Sequence, residues 1–260
     1  MFSPLPAPWP RRLGRSRAIQ GPNWLLASLS PKAYATIAPN LKSVSLVSGQ
    51  LLQQELAPIA RVYFPDSAVL SLITRLSDGK AAEVGTVGNE GFAGLSLLFG
   101  VSASVTECVA QVPGNARVLS ARAFRGSMNG GGALRTVLLR YAHLYMHQAA
   151  QRTACNAFHP VSARCARWLL AADDTAGENG DSNGAGFELT QAYLAYMLGV
   201  RREGVSAAAR SLKDAGLIRF SRGHITVIDR VGLEETSCDC YRTVTDEYQR
   251  VLGNRTGAVG

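Results

Sequence analysis

The stretch Leu189 to Arg230, LTQAYLAYMLGVRREGVSAAARSLKDAGLIRFSRGHITVIDR, constrains the fold more than any other part of the sequence, because its residue period switches from helical to alternating with glycine at the breaks. Thr190 can cap a helix whose apolar residues Leu194, Met197 and Leu198 share one face, and Gly199 can take the left-handed turn conformation that stops it. A second helix begins almost at once. Its stripe Val205, Ala208, Ala209 and Leu212 faces inward, which leaves Glu203, Ser206 and Arg210 outside with Arg202 and Lys213 flanking them. Beyond Gly216, Ile218 and Phe220 alternate with polar residues, the chain turns at Ser221-Arg222-Gly223, and it returns through Ile225, Val227 and Ile228. Two helices joined by a short glycine turn and followed by a hairpin make a winged helix-turn-helix, with Arg222 and His224 at the tip of the wing.

The second helix of such a unit has the width and the outward residues to enter the major groove, and its N-terminal end meets base edges. Arg202 and Glu203 stand at that end. Arginine can donate two hydrogen bonds to guanine, and glutamate can accept one from cytosine. A glutamate costs nonspecific attraction on a basic face, so its presence there points to base reading. Residues 190 to 230 hold seven Lys or Arg against three Asp or Glu, and the whole chain carries a formal charge of +8 with a pI near 9.5. That balance suits a polyanion, DNA or an anionic membrane surface. The bland alternative, a structural helix and hairpin with a solvated charged face, accounts less well for the bias and layout together.

The rest of the 260 residues divides by pattern. Residues 1–22 hold four prolines before position 11, then Arg11, Arg12, Arg15 and Arg17 without an acid, which predicts a disordered basic arm. From about Leu41 to Arg122 come short β-like runs: Val44 and Leu46 among serines, Val62-Tyr63-Phe64, Val69 to Leu76, and Ala81 to Val87 after the hairpin turn Ser77-Asp78-Gly79. After Gly130-Gly131-Gly132, Leu134, Leu138, Tyr141, Tyr145, Gln148, Arg152 and Cys155 recur at spacings of four and three on a helix of about six turns. The same stripe fits a dimer seam formed by Leu134, Leu138, Tyr141 and Tyr145, or a core helix lying on its own domain. His159-Pro160 ends it. A short amphipathic helix over Val161 to Ala172, an exposed loop over Asp173 to Gly186, and a terminal helix over Gly232 to Leu252 are expected. The fold class is therefore α+β. The short strands within residues 23–129 are expected to make an antiparallel roll, barrel or sandwich, residues 130–158 a long helix, and residues 159–260 the winged helix-turn-helix and a C-terminal helix.

Over nearly its whole length after the basic arm, the sequence resembles the Crp/Fnr family of bacterial transcription regulators. The likeness is most specific in LTQAYLAYMLGVRREGVSAAARSLKDAGLIRFSRGHITV. It implies base reading by Arg202 and Glu203 and backbone contacts by Thr190, Arg201 and Arg222. The family's further base-reading arginine corresponds to Ala207. The segment VYFPDSAVLSLITRLSDGKAAEVGTVGNEGFAGLSLLFG resembles the family's cyclic-nucleotide-binding β-roll, which implies an N-terminal antiparallel, jelly-roll-like β-roll with a sensor role at residues 23–129, followed by a dimerisation helix at 130–158. Aligned on Phe92-Ala93-Gly94, Leu95 and Val105 replace the glutamate and arginine that hold ribose and phosphate in nucleotide-binding members, so cyclic AMP is not expected as effector. Gly85, Gly88, Gly91 and Gly94 are expected to serve tight turns of the roll.

Other constellations are weaker. His143 and His147 are four apart on the long helix, a spacing that can serve a metal but fits a surface or interface pair better. Cys238-Asp239-Cys240 is tighter than the usual metal knuckle. Five dispersed cysteines make no disulfide framework and fit a reducing compartment. Without a signal-peptide pattern or a long apolar run, a cytoplasmic protein with no membrane association is expected. The reading is a non-enzymatic homodimer on a palindromic double-stranded DNA site, without cofactor or metal. RNA polymerase and an unknown small-molecule effector are further candidate partners. Two alternatives stand beside it: an effector-independent architectural DNA-binding dimer, and a metal or redox protein using His143, His147 and the cysteines.

Overall fold

The computed structural model describes residues 23–128, 132–176, 187–188, 191–221 and 224–252. The expected basic arm, the glycines 130–131, most of the expected loop, Thr190 and Arg222 lie outside them. The chain enters through two short helices, α1 (Trp24–Ala27) and α2 (Pro31–Ile37). Asn23 anchors them: its buried amide donates to the carbonyls of Pro65 (2.9 Å) and Gly91 (2.7 Å), while its Oδ1 caps α1.

Seven strands then make the roll: β1 (Lys42–Leu46), β2 (Leu51–Gln53), β3 (Arg61–Pro65), β4 (Val69–Arg75), β5 (Ala81–Val87), β6 (Glu107–Val112) and β7 (Gly114–Ser120). They form two antiparallel sheets, ordered β1-β7-β3 and β2-β6-β4-β5. Inward residues of both sheets, among them Leu46, Leu70, Val87, Ala110 and Ala116, fill the space between them. The expected hairpin is present: Leu76 N–H donates to the Lys80 carbonyl (2.7 Å), and Gly79 takes φ +82° where a side chain would be strained.

A short α3 (Leu95–Leu98) lies between β5 and β6, and α4 (Ala121–Met128) leads to α5 (Ala133–Phe158), whose 26 residues span about 39 Å. The face of α5 read as a dimer seam is instead turned into its own subunit. Leu134, Leu138 and Tyr141 are buried with Phe64, Phe92 and Phe124 of the roll, and Tyr145 packs at the edge of that cluster. The Tyr141 ring sits 5.2 Å from that of Phe92 and 6.5 Å from that of Tyr248. The stripe is hydrophobic because it covers the roll. Lower down, Arg152 Nη1 meets Glu83 of β5 at 2.5 Å, and both are buried.

The same packing explains two glycines expected at turns. A Cβ on Gly85, inside β5, would meet the Tyr145 hydroxyl at 2.5 Å, and one on Gly91 would meet the Tyr141 ring at 2.5 Å. Both clear room for aromatic rings of α5. Gly94, at φ +116°, is the one of the four that needs its backbone freedom.

Beyond the His159-Pro160 break, α6 (Val161–Ala176) runs four residues past the expected end. Asp173 and Asp174 belong to the helix, and Arg230 pairs with both, at 2.8 and 2.5 Å. Next come β8 (Phe187–Glu188), α7 (Gln191–Leu198), α8 (Arg202–Asp214), β9 (Ile218–Ser221) and β10 (His224–Val227). The tail is two helices, α9 (Arg230–Thr236) and α10 (Cys240–Leu252), broken at Ser237-Cys238-Asp239.

Candidate nucleic-acid interface

One core holds α6, α7, α8 and the wing together. Trp168 and Leu169 of α6, Leu194 and Leu198 of α7, Val205 and Leu212 of α8, and Ile218 and Ile225 of the hairpin are all buried in it. Between α7 and α8 the chain needs only Gly199, Val200 and Arg201. Gly199 takes φ +61°, and the Val200 N–H returns to the Ala195 carbonyl at 3.1 Å, which closes the end of α7. The buried guanidinium of Arg164 donates to the Leu198 carbonyl and fixes the turn from below.

With Val205, Ala208, Ala209 and Leu212 buried, α8 leaves one continuous face outside. Arg201 is its N-cap, with φ −69° and ψ 154°; Arg202, Glu203, Ala207, Arg210 and Lys213 are exposed, and Ser206 is half-buried. Arg202, Ser206 and Arg210 follow one another at single-turn spacing. Four backbone N–H groups at the start of a helix lack intrahelical partners and favour anions, so the arginines and the helix end present positive potential to the same side. In the wing, β10 pairs with β9 on one side and β8 on the other, and exposed His224 stands opposite Ser221 and Glu188. Exposed Arg219 on β9 adds a cation that the sequence reading did not single out; its signal was the alternation that buries Ile218 and turns the next residue outward. Arg230, counted in the basic bias, is instead committed to Asp173, Asp174 and Glu234.

The roll holds a cavity of about 260 Å³ beside Phe92, Gly94 and Leu95. Its other lining residues include Gln53, Ser104, Thr106, Tyr141 and Tyr145, and no lining residue is charged. Leu95 lines it and Val105 stands at its mouth, 67% exposed. Glu90 does not line this cavity. Its carboxylate accepts from Gly88 N–H at 2.9 Å, and burial holds its pKa above the ordinary carboxyl value.

Of the two histidines on α5, His143 is exposed with Nε2 3.8 Å from Glu247 Oε1, and His147 is half-buried. Neither belongs to a group of three or more potential metal ligands among the described residues. A different set does. Cys155, His159, Cys238 and Cys240 bring four donor atoms within 4.8 Å of one another. The Cys238 thiol, hydrogen-bonded to Cys155, holds the Cys155 pKa well below the ordinary thiol value, and its own is held up. In the sequence, Cys238 and Cys240 have no second pair nearby. Cys155 and His159 supply it across 83 residues, and the one local signal was their spacing of four at a helix end.

Comparison with known proteins bears on the fold and on one segment. A family model described as a Crp-like helix-turn-helix domain matches residues 163–236. A Crp/Fnr-family transcriptional regulator of Thermus thermophilus superposes with a TM-score of 0.61 at 23% identity, covering 75% of this chain and 98% of that one. FixK2 of Bradyrhizobium japonicum gives 0.58 at 16% identity, covering 76% and 98%. The c-di-GMP-responsive global regulator CLP of Xanthomonas campestris gives 0.58 at 13% identity, covering 76% and 99%. A comparison with curated proteins finds no sequence match. Residues 163–236 thus match a Crp-like helix-turn-helix domain, and the chain as a whole has a fold similar to that of Crp/Fnr-family regulators.

Proposed function

We propose that the chain regulates transcription by binding double-stranded DNA as a homodimer, each subunit presenting α8 to the major groove of one half of a two-fold symmetric site. The carrying observation is the single outward face of α8, with Arg201, Arg202, Glu203, Ser206 and Arg210 together on a helix whose opposite face is buried. Arg202 and Glu203 read bases. Arg201 and Arg210 engage phosphates, and Thr190, Arg222 and His224 take the positions that the family likeness and the wing assign them. The working division is a basic arm at 1–22, a sensor roll at 23–129, a dimerisation helix at 130–158 and a DNA-binding unit at 159–260.

The homodimer reading rests on a different face of α5 from the one first expected. Thr136, Leu139, His143, Met146, Ala150, Thr153 and Ala157 are all exposed and recur at spacings of three and four, a heptad stripe along the free side of the helix. Leu139 and Met146 supply apolar knobs, and the small residues below let two backbones approach. Cyclic AMP is not the effector, since a cavity without a charged lining residue leaves a buried cyclic phosphate uncompensated. No helix among the described residues is long and apolar enough to cross a membrane, in keeping with a cytoplasmic regulator.

The test is capture of genomic DNA fragments by the purified full-length protein, followed by sequencing. An enriched inverted repeat with half-site centres about one helical turn (~34 Å) apart is expected. Fragments without a shared motif would overturn base reading, and a motif without two-fold symmetry would overturn the symmetric dimer.

A further inference from the structure

Three of the five cysteines and one histidine converge where α5 turns into α6. Cys155 lies in the last turn of α5 and His159 is the C-cap, so a spacing of four stacks their side chains on one side of the helix. Pro160 forces the chain to leave there, with His159 at ψ 143°. Cys238 lies in the break between α9 and α10, and Cys240 is the first residue of α10.

Two of the donor pairs lie near the separations of a tetrahedral coordination shell. Cys155 Sγ lies 3.5 Å from Cys238 Sγ, and Cys240 Sγ lies 3.4 Å from His159 Nδ1. A tetrahedral ion with bonds of about 2.3 Å to sulfur and about 2.0 Å to nitrogen sets its donors ~3.8 Å apart for two sulfurs and ~3.5 Å for sulfur and nitrogen. All four donors fall within 4.8 Å of one another, too close to surround a polynuclear iron-sulfur cluster. A disulfide would use two of the thiols and leave the third, with the imidazole against it, unexplained.

We propose that Cys155, His159, Cys238 and Cys240 bind one zinc-class divalent ion in a closed tetrahedral site that ties the α9–α10 break to the α5–α6 corner. Soft thiolates with one imidazole select such an ion over magnesium or calcium. The thiol protons leave to solvent as the metal enters. Three thiolates on a divalent ion leave one negative charge, and Arg164 and Arg167 lie near enough to interact with Cys155. Gln151 Nε2 donates to Cys240 Sγ at 3.1 Å, the kind of outer hydrogen bond that orients a ligand. Four protein donors, three of them buried thiols, fill a tetrahedral shell and leave no coordination position for a substrate. The ion closes a loop from His159 to Cys238 that contains the whole helix-turn-helix, and it thereby fixes how α8 is carried on α5.

The experiment uses the full-length chain, purified under reducing conditions, stripped of metal and titrated with cobalt(II) and then zinc. One equivalent of cobalt per chain is expected, with tetrahedral d–d bands and thiolate charge transfer of three-sulfur intensity, both displaced by zinc. Cys238→Ser should lower the charge-transfer intensity by about a third and weaken zinc binding more than roughly tenfold. His159→Cys should keep the site and raise the intensity toward four sulfurs, and Cys108→Ser should change nothing. Wild-type protein alone decides the matter if the serine variant fails to fold. Absence of a saturable cobalt signal, a weak octahedral spectrum, a signal unaltered by Cys238→Ser, or a Cys155–Cys238 disulfide in the native protein would overturn the proposal. DNA binding is not part of the readout, so failure of this site and failure of the regulatory reading are distinguishable.

Discussion

Replacing Arg152 with methionine removes one member of the most buried ion pair that joins α5 to the roll. Glu83 is fully buried and Arg152 is 7% exposed, with Nη1 and Oε1 2.5 Å apart. Arg152 Nη2 also donates to Thr86 Oγ1 (3.1 Å), and Ser71 Oγ donates to Glu83 Oε2 (2.7 Å). Methionine keeps much of the stem volume, so the loss is chiefly that of the charge partner. Removing one partner of such a pair costs about 3 to 5 kcal/mol. For a chain of this size that is roughly 6 to 20 °C in Tm, at about 2 to 4 °C per kcal/mol. Burial already raises the pKa of Glu83 and Arg152 opposes that rise, so the variant's carboxyl moves further up. A group whose folded pKa exceeds its unfolded value stabilises below the unfolded pKa and loses that stability as pH climbs through the folded one. The deficit of Arg152→Met is therefore smaller near pH 5 than near pH 8. Glu83→Leu combined with Arg152→Met should recover most of the loss, because an apolar pair of similar volume leaves no buried charge. Thermal and urea melts at both pH values provide the assay. A deficit under about 1 kcal/mol, or a double variant as unstable as the sum of the singles, would mean that Glu83 and Arg152 are not coupled as a buried pair.

Other consequences follow from the same packing. Gly91→Ala places a methyl 2.5 Å from the immobile Tyr141 ring and should cost about 1 to 3 kcal/mol, whereas Gly126→Ala on α4, with open space around it, should be neutral or stabilising in the same melts. Leu138→Glu should unfold the subunit, since Leu138 is 0% exposed, while Leu139→Glu with Met146→Glu should leave a folded monomer by circular dichroism and sedimentation; a dimer surviving the double change would displace the seam from this face. Calorimetric titration with cyclic AMP should show no saturable binding in the micromolar range, because the missing charge-assisted hydrogen bond alone weakens a site by about 1.5 to 3 kcal/mol. A micromolar signal would mean that the cavity binds the nucleotide in another way.

The helix-turn-helix was legible because each of its signals is local: a glycine at each break, an apolar stripe at helical period, then alternation in the wing. The roll was legible in its hairpin Val69 to Val87 and less so elsewhere, since β2 is short and β6 buries a glutamine, Gln111, among its apolar residues. What could not be read was which partner a hydrophobic stripe meets. Leu134, Leu138 and Tyr141 have the spacing of a seam and the burial of a core, and only Phe64 and Phe92, distant in sequence, decide between them. The exposed stripe from Thr136 to Ala157 leaves little trace in the sequence because alanine, threonine and histidine carry little hydrophobic signal. Gly85 and Gly91 read as turns for the same reason: the rings that need their space lie some fifty to sixty residues on. The ligand set of Cys155, His159, Cys238 and Cys240 is split by the whole DNA-binding unit, so its spacing matches no local pattern.

Base reading by α8 is tested by comparing wild type with Arg202→Ala and Arg210→Ala on the captured site and its single-base variants, by fluorescence anisotropy across a salt series. Arg202→Ala should cost roughly 1 to 3 kcal/mol per half-site and flatten preference at one base pair, whereas Arg210→Ala should weaken all sequences alike and reduce the salt slope by about 1. Unchanged affinity and unchanged base preference in Arg202→Ala would show that α8 does not read bases.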